Sequence, residues 1–327
     1  MDKSYNSMYG LYIKQFIEMK RALGYKYSTG AIILYQIDRF AEQREETSKG
    51  ITKEFATSWG KKRLNESDTY RYDRIRTLAN FSSYLRDLGV QSYIPKLPHR
   101  PKNNFIPYIF SRIEIDAIFK ACDNLRLDIV NLTTDIFCMP TLLRLLYATG
   151  IRIGEALALK DDDVNLSDNY LRIKDCKNGK ERIIPISGAL ASVCKEYVRY
   201  RNHLPLKEIE PGYFLVKLDG SKCGQGVRSW FKKCMEKANI PCIGSNQSPR
   251  IHDLRHTFAV TSLANMADAG IDLYVSLPIL SNYLGHQSLE ATNHYVRLTA
   301  NMYPDLIKNV DMICLDVFPK IKNYETD

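Results

Sequence analysis

The first 90 residues carry apolar side chains at helical intervals. Met8, Leu11, Tyr12, Phe16 and Met19 fall on one stripe, which predicts a helix that stops near Gly24. A second helix starts at a cap on Ser28 or Thr29 and buries Ile33, Ile37 and Phe40. Thr52 is placed to cap a third helix carrying Phe55 and Trp59, and Ser67 a fourth that runs to Gly89. Between Val90 and Phe110 the period is lost. Pro95, Pro98, Pro101 and Pro107 stand among Lys96, His99, Arg100 and Lys102, a composition that no helix interior tolerates.

Beyond that stretch Ser111-Arg112-Ile113-Glu114 is a capping-box pattern that opens a new helix. An apolar helix then ends at Tyr147-Ala148-Thr149-Gly150, and another covers Ile151 to Leu159. Over residues 170–186 the period changes. Tyr170, Leu171 and Ile173 on one side of Asn178-Gly179, and Arg182, Ile183, Ile184 and Ile186 on the other, predict a β-hairpin with Lys177 at or beside its tip. Helices near 187–203 and 224–239 flank a predicted strand at Tyr213–Val216, and long helices follow over 251–269 and about 299–309. The tail 310–327 is apolar for a chain end, with Met312, Ile313, Leu315, Val317 and Phe318. The pattern predicts a mainly α protein with a small antiparallel β-sheet. Its parts are a helical domain over 1–90, a basic Pro-rich linker over 91–110 that acts as a semi-stiff hinge, and a second domain over 111–327.

Charge changes this picture in one respect. The chain of 327 residues has a formal net charge of +9, and residues 1–104 hold 19 Lys and Arg against 11 Asp and Glu. The remaining 223 residues hold 27 against 26, so the basic excess lies in the first third, as a polyanion-gripping part requires. On the polar face of the fourth helix Arg71, Arg74 and Arg76 join Tyr70 and the run Lys61-Lys62-Arg63, a set suited to phosphate contacts. Arg100 and Lys102 extend it into the linker. The eight Cys include no C-x-x-C pair, which excludes both zinc spacing and a small disulfide framework and points to free thiols in a reducing cytoplasm. The N-terminus shows no apolar leader, and no apolar run approaches membrane-spanning length.

The densest chemistry lies between Ile251 and Arg297. His252 and Arg255 are three apart and share a helix face, His286 follows a Leu-Gly pair that reads as a helix end, and Tyr295 lies nine residues later. An Arg to hold an anion, two His to move protons and a Tyr nucleophile suit chemistry on a phosphodiester without a metal.

In this order the motifs resemble those of the tyrosine recombinase (phage integrase) family. Ala148-Thr149-Gly150-Ile151-Arg152-Ile153-Gly154-Glu155 is similar to its first-arginine box, and Lys177 before Lys180-Glu181-Arg182-Ile183-Ile184-Pro185 to its mobile lysine. His252-Asp253-Leu254-Arg255-His256 resembles the His-x-x-Arg box, Leu284-Gly285-His286 the second histidine, and Tyr295 stands where the nucleophile would. One departure is the stretch from Arg255 to His286, which is longer than the family's by an excess placed around Ala269–Pro278.

The resemblance implies a site-specific DNA recombinase, integrating or excising, that forms a 3′-phosphotyrosine without ATP, metal or cofactor. Arg152 and Arg255 would hold the non-bridging oxygens, helped by a hydrogen bond from His286. His252 would be the base for Tyr295, Lys177 the acid for the leaving 5′ oxygen, and Glu155 a supporting acid. The implied assembly is a two-domain C-shaped clamp on double-stranded DNA at a simple core site. It would be a monomer in free solution and a homotetramer in the synapse, where the tail 310–327 docks on a neighbour. The implied location is the cytoplasm, at the nucleoid. Two other readings remain open: a type IB topoisomerase-like relaxer, and a non-catalytic DNA-binding accessory protein.

Overall fold

The computed structural model describes residues 4–101, 106–126, 133–174, 181–204, 212–241 and 248–286, together with Thr292 and Tyr295. The chain divides into two compact units, residues 1–104 and 105–327.

The first unit contains four helices, α1 (Gly10–Ala22), α2 (Ser28–Gln43), α3 (Lys53–Trp59) and α4 (Asp68–Asp87). Thr52 and Ser67 cap α3 and α4, accepting from the amides of Phe55 at 3.0 Å and Tyr70 at 3.2 Å. Neither Ser28 nor Thr29 caps α2. Its N-cap is Tyr27, at φ +45° with no side-chain hydrogen bond. On α1 the buried stripe is Ile13, Phe16 and Ile17, while Leu11 faces out. The core joins these to Ile33, Leu34, Ile37, Phe55, Trp59, Leu78, Phe81 and Leu85. Buried Asp38 accepts from the amides of Asn6 and Ser7 and so ties the entry of α1 to α2.

Two expectations for this unit are corrected. Arg74 does not face a ligand. Its side chain is 0% exposed and pairs with Glu66 at 2.6 Å, with further bonds to the carbonyls of Trp59 at 2.6 Å and Lys61 at 3.0 Å. Burial alone would raise the Glu66 carboxyl, but the hydrogen bond from Arg74 holds it below its usual value. Arg74 therefore closes the α3–α4 turn from inside. Nor does a free linker begin at residue 91. The amide of Tyr93 donates to Ile51 O at 2.7 Å, Ser82 donates to Tyr93 O at 2.6 Å, and Pro95 is buried. At the other end the amide of Phe110 donates to Thr257 at 3.0 Å, within the second unit.

The second unit contains α5 (Arg112–Asp123), α6 (Met139–Thr149), α7 (Ile153–Ala156), α8 (Gly188–Arg201), α9 (Gly226–Lys237), α10 (Asp253–Asp268) and α11 (Leu273–Leu284). The Ser111 capping box forms as read. Helix α6, buried along Met139, Leu142, Leu143, Leu145 and Leu146, packs against α5, α7, α8, α9 and α10 and is the centre of this unit. The helix predicted from Ile151 to Leu159 shrinks to the four residues of α7. Three antiparallel strands in the order β1 (Val164–Asn165), β2 (Tyr170–Ile173) and β3 (Arg182–Pro185) form the sheet. The pairs Leu171 with Ile184 and Ile173 with Arg182 set the β2–β3 register. The predicted strand at Tyr213–Val216 makes only isolated bridges, Lys160 with Tyr213 and Val216 with Lys222. The long Arg255-to-His286 stretch is taken up by a turn at Gly270, an Asp272 cap and α11, with Pro278 inside it. The hairpin tip with Lys177, the helix near 299–309 and the tail 310–327 lie outside the described residues. Among the described residues no helix is long and apolar enough to cross a membrane.

Removing one partner of a buried ion pair costs about 3–5 kcal/mol. Arg74→Ala should therefore lower the unfolding free energy of the chain by that order in urea titration. A loss below about 1 kcal/mol, the range of an exposed pair, would contradict the internal role.

Candidate active site

Two glycines decide where the site forms. Gly150 ends α6 at φ +60° and Gly285 ends α11 at φ +65°, both in the left-handed region that turns helix-terminal carbonyls aside. Those carbonyls meet one side chain. Arg255, in the first turn of α10, donates to Gly150 O and to Leu284 O, each at 2.7 Å. A Cβ on Gly150 would sit 2.3 Å from the Phe258 ring, so the turn admits no larger residue there.

Arg255 is 3% exposed. Burial and the nearby charge of Arg152 push it down to about 10, which leaves it protonated at neutral pH. Arg152 donates to Glu155 at 2.9 Å and to Gly285 O at 3.1 Å, so both arginines converge on the same helix end. Glu155 is held from two sides, because Arg182 on β3 reaches it at 2.7 Å and donates to Tyr283 O at 3.0 Å. Burial alone would raise the Glu155 carboxyl. Hydrogen bonds from Arg182 and from the Arg152 backbone overcome that and hold it at about 2.

The two histidines of the motifs are neutral at pH 7. Burial, reinforced by Arg255, pushes His252 and His286 each down to about 4. His286 Nε2 lies 3.1 Å from Arg255 Nη2, and a guanidinium has only donors. Nε2 is therefore the acceptor and Nδ1 carries the proton, which it gives to Thr292 Oγ1 at 2.8 Å. Tyr295 is 3% exposed and stacks on His286 with centroids 6.1 Å apart. Burial raises its hydroxyl against the lowering effect of Arg255.

Arg152, His252, Arg255, His286, Tyr295 and Glu155 thus come together, while Lys177 falls outside the described residues. Two further residues belong to the cluster and were missed in the sequence. Arg182 braces Glu155, and His256 Nδ1 lies 2.9 Å from the Tyr295 hydroxyl. Beside His252 opens a recess of about 760 Å³ lined by Arg228, Lys232, Arg250 and Phe231. Arg228 and Lys232, one turn apart and exposed on α9, were the available signal for it. Arg144 on α6 donates to the Asp123 carboxylate at 2.7 Å. Among the described residues no group of three or more His, Cys, Asp or Glu is placed to hold a metal ion.

The basic residues of the first unit differ in how they are held. Lys61 and Arg100 are exposed, and Lys62 pairs with Asp68 at 2.7 Å. Arg63 lies over the Trp59 ring at 4.7 Å and donates to Gln36 at 3.3 Å. Arg71 is half-buried and donates to Gly60 O at 2.9 Å. Lys102 lies outside the described residues.

The Glu155 carboxyl yields a signed prediction. Its folded value lies below the unfolded one, so its stabilisation is complete above about pH 4.5 and disappears as pH falls through about 2. A shift of that size corresponds to about 3 kcal/mol. Glu155→Gln should be less stable than the native chain by that order at pH 7, with the gap narrowing towards pH 3. An unfolding gap that stays constant from pH 7 to 3 would rule out the charged bridge as its source.

Residues 110–302 match the model of the phage integrase family. Over 301 residues the chain is 29% identical to the putative integrase/recombinase y4rB of Sinorhizobium fredii, covering 90% of this chain and 93% of that one. It is 30% identical over 236 residues to the tyrosine recombinase XerA of Pyrococcus horikoshii, covering 71% of each. Among solved structures, the Tn1549 transposon integrase in complex with transposon right-end DNA has a TM-score of 0.62 at 15% identity, over 91% of this chain and 100% of that one. The XerH site-specific recombinase bound to palindromic difH substrate has a TM-score of 0.59 at 20% identity, over 82% and 74%. The likeness to these two structures shows the fold, and the family match runs from Phe110 through the whole charged cluster and past Tyr295. The chain belongs to the phage integrase family and is a tyrosine-type site-specific recombinase.

Proposed function

We propose that this recombinase cuts and rejoins double-stranded DNA at a core site through a 3′-phosphotyrosine on Tyr295, without metal, cofactor or ATP. The observation that carries the reading is the burial of the Tyr295 hydroxyl among Arg255, His256 and His286, beside Arg152. In attack on a phosphodiester the new negative charge appears on the two non-bridging oxygens. Arg152 and Arg255 are permanently charged forked donors able to hold them. The entering phosphate takes the place of His286 at Arg255, after which the ring, with its tautomer reversed, donates to the same oxygens. Lys177 protonates the leaving 5′ oxygen.

Tyr295 stays protonated until attack begins. Ionising a tyrosine in advance costs about 4 kcal/mol at pH 7, and burial adds to this. The first unit supplies grip, with Lys61, Lys62, Arg63, Arg71 and Arg100 on phosphates, and Arg228, Lys232 and Arg250 extend that grip beside the site. Both units bind the duplex, and four copies assemble on paired sites in the cytoplasm, at the nucleoid.

Nicked duplexes spanning the DNA that flanks its own gene would trap the intermediate. The native chain should give a covalent protein–DNA band on a denaturing gel, and Tyr295→Phe none. A band that survives the substitution would move the nucleophile elsewhere. For the grip, Arg63→Ala should weaken binding and reduce the slope of log K against log salt by about 1. An unchanged slope would remove Arg63 from the phosphate contacts.

A further inference from the structure

We infer that His256 is the group that takes the proton of Tyr295 as the tyrosine attacks, a role the motif order alone gives to His252. The inference rests on Tyr295 being the nucleophile. His256 and Arg255 are neighbours in the first turn of α10, so their side chains diverge and approach Tyr295 from two directions. Arg255 bears on the phenolic oxygen with its positive charge, which favours the phenolate. His256 Nδ1 stands 2.9 Å from that oxygen, and with the ring's proton on Nε2 it accepts the phenolic hydrogen. The hydroxyl is thus polarised in the sense attack requires, with electron density drawn to the oxygen by Arg255 and the proton aimed at His256. The rings of His256 and Tyr295 lie with centroids 5.6 Å apart.

His252 lies behind this pair. Its ring meets His256 edge-on, with centroids 5.0 Å apart, and lines the basic recess with Arg250. That position suits it to hold His256 in place and to face DNA.

The step balances as follows. The Tyr295 O–H bond breaks and its proton moves to His256 Nδ1, while the phenolic oxygen forms the bond to phosphorus. The bond from phosphorus to the 5′ oxygen breaks, and that oxygen takes its proton from Lys177. In rejoining, a 5′-hydroxyl attacks phosphorus and gives its proton back to Lys177, the bond from phosphorus to the phenolic oxygen breaks, and His256 returns its proton to that oxygen. Each strand exchange therefore leaves the protein as it began.

A well-placed general base contributes about 10²–10⁴-fold to a rate. The test measures single-turnover adduct formation on the nicked duplex that traps the native chain, with each variant's DNA binding measured alongside. His256→Ala should slow adduct formation at least 100-fold with binding retained. His256→Asn keeps an acceptor near the Nδ1 position but cannot hold a proton, and should be as slow as His256→Ala. Replacing Tyr295 with a fluorinated, more acidic tyrosine should shrink the loss caused by His256→Ala, since an acidic phenol depends less on a base. Near-native rates in His256→Asn, or an equal loss with both tyrosines, would reduce His256 to a positioning residue and overturn the proposal. Full-rate cleavage by His256→Ala, with Tyr295→Phe inactive, would overturn the role of His256 alone. An adduct formed by Tyr295→Phe would overturn the nucleophile and this proposal together.

Discussion

A buried guanidinium must be surrounded by acceptors, and Arg255 finds them at the C-terminal ends of two helices. The carbonyls of Gly150 and Leu284 are groups that α6 and α11 leave unpaired within themselves, and they carry the negative end of each helix dipole. Arg152 adds a second guanidinium at the same end of α11 through Gly285 O. The fold thus holds two cations close together by giving each a share of a helix terminus. Glu155, gripped by both Arg152 and Arg182, is the one full negative charge among these described side chains. The cluster remains net positive, which suits it to the phosphodiester of the proposed reaction.

Burial and this field together explain the protonation of the pocket. Burial is the larger cause and the charge of the arginines adds to it, so the His252 and His286 rings are both neutral at pH 7. Neutral imidazoles can accept protons, which is what chemistry at a tyrosine needs. For Tyr295 the two influences oppose each other: burial favours the neutral phenol and Arg255 favours the phenolate, and burial prevails. Under the proposed function, in which Tyr295 is the nucleophile, proton removal is therefore tied to attack, and the hydroxyl does not react with other electrophiles before a phosphate is in place.

Local chemistry was legible in the sequence where it is settled within one turn. Thr52, Ser67 and Ser111 cap the helices they precede, because a cap needs only an amide two or three residues on. The hairpin itself was legible in the alternation on either side of Asn178-Gly179, but its register was not: Leu171 pairs with Ile184, where a two-residue turn at Asn178-Gly179 would set it opposite Ile186. Of the site, the residues inside family boxes were legible, and those whose role depends on tertiary neighbours were not. Arg182 was read as part of a strand, yet its guanidinium matters because Glu155 and the end of α11 fold onto it. In the sequence His256 is only the residue that follows the His-x-x-Arg box, and the placement of Tyr295 shows what its Nδ1 meets. Arg74 is a different case, since the signal was present. It precedes Leu78, Phe81 and Leu85 at 4, 7 and 11 residues, on the stripe that the core buries. Its charge outweighed its position.

That case limits what counting charges can say about a DNA-binding surface. In the first unit Lys62 pairs with Asp68, Arg76 with Asp73, Arg44 with Glu54 and Arg39 with Glu42, all on the surface. Exposed pairs contribute at most about 1 kcal/mol, so a phosphate that releases counterions can displace such a carboxylate. Arg74 and Glu66 form the opposite case. Their pair lies out of water and satisfies the α3–α4 turn, so exchanging the carboxylate for phosphate would first require opening the core. The surface able to bind DNA is therefore set by which basic groups can give up their partners, and Arg63, held on the Trp59 ring and by a neutral Gln36, has no ion pair to break among the described residues.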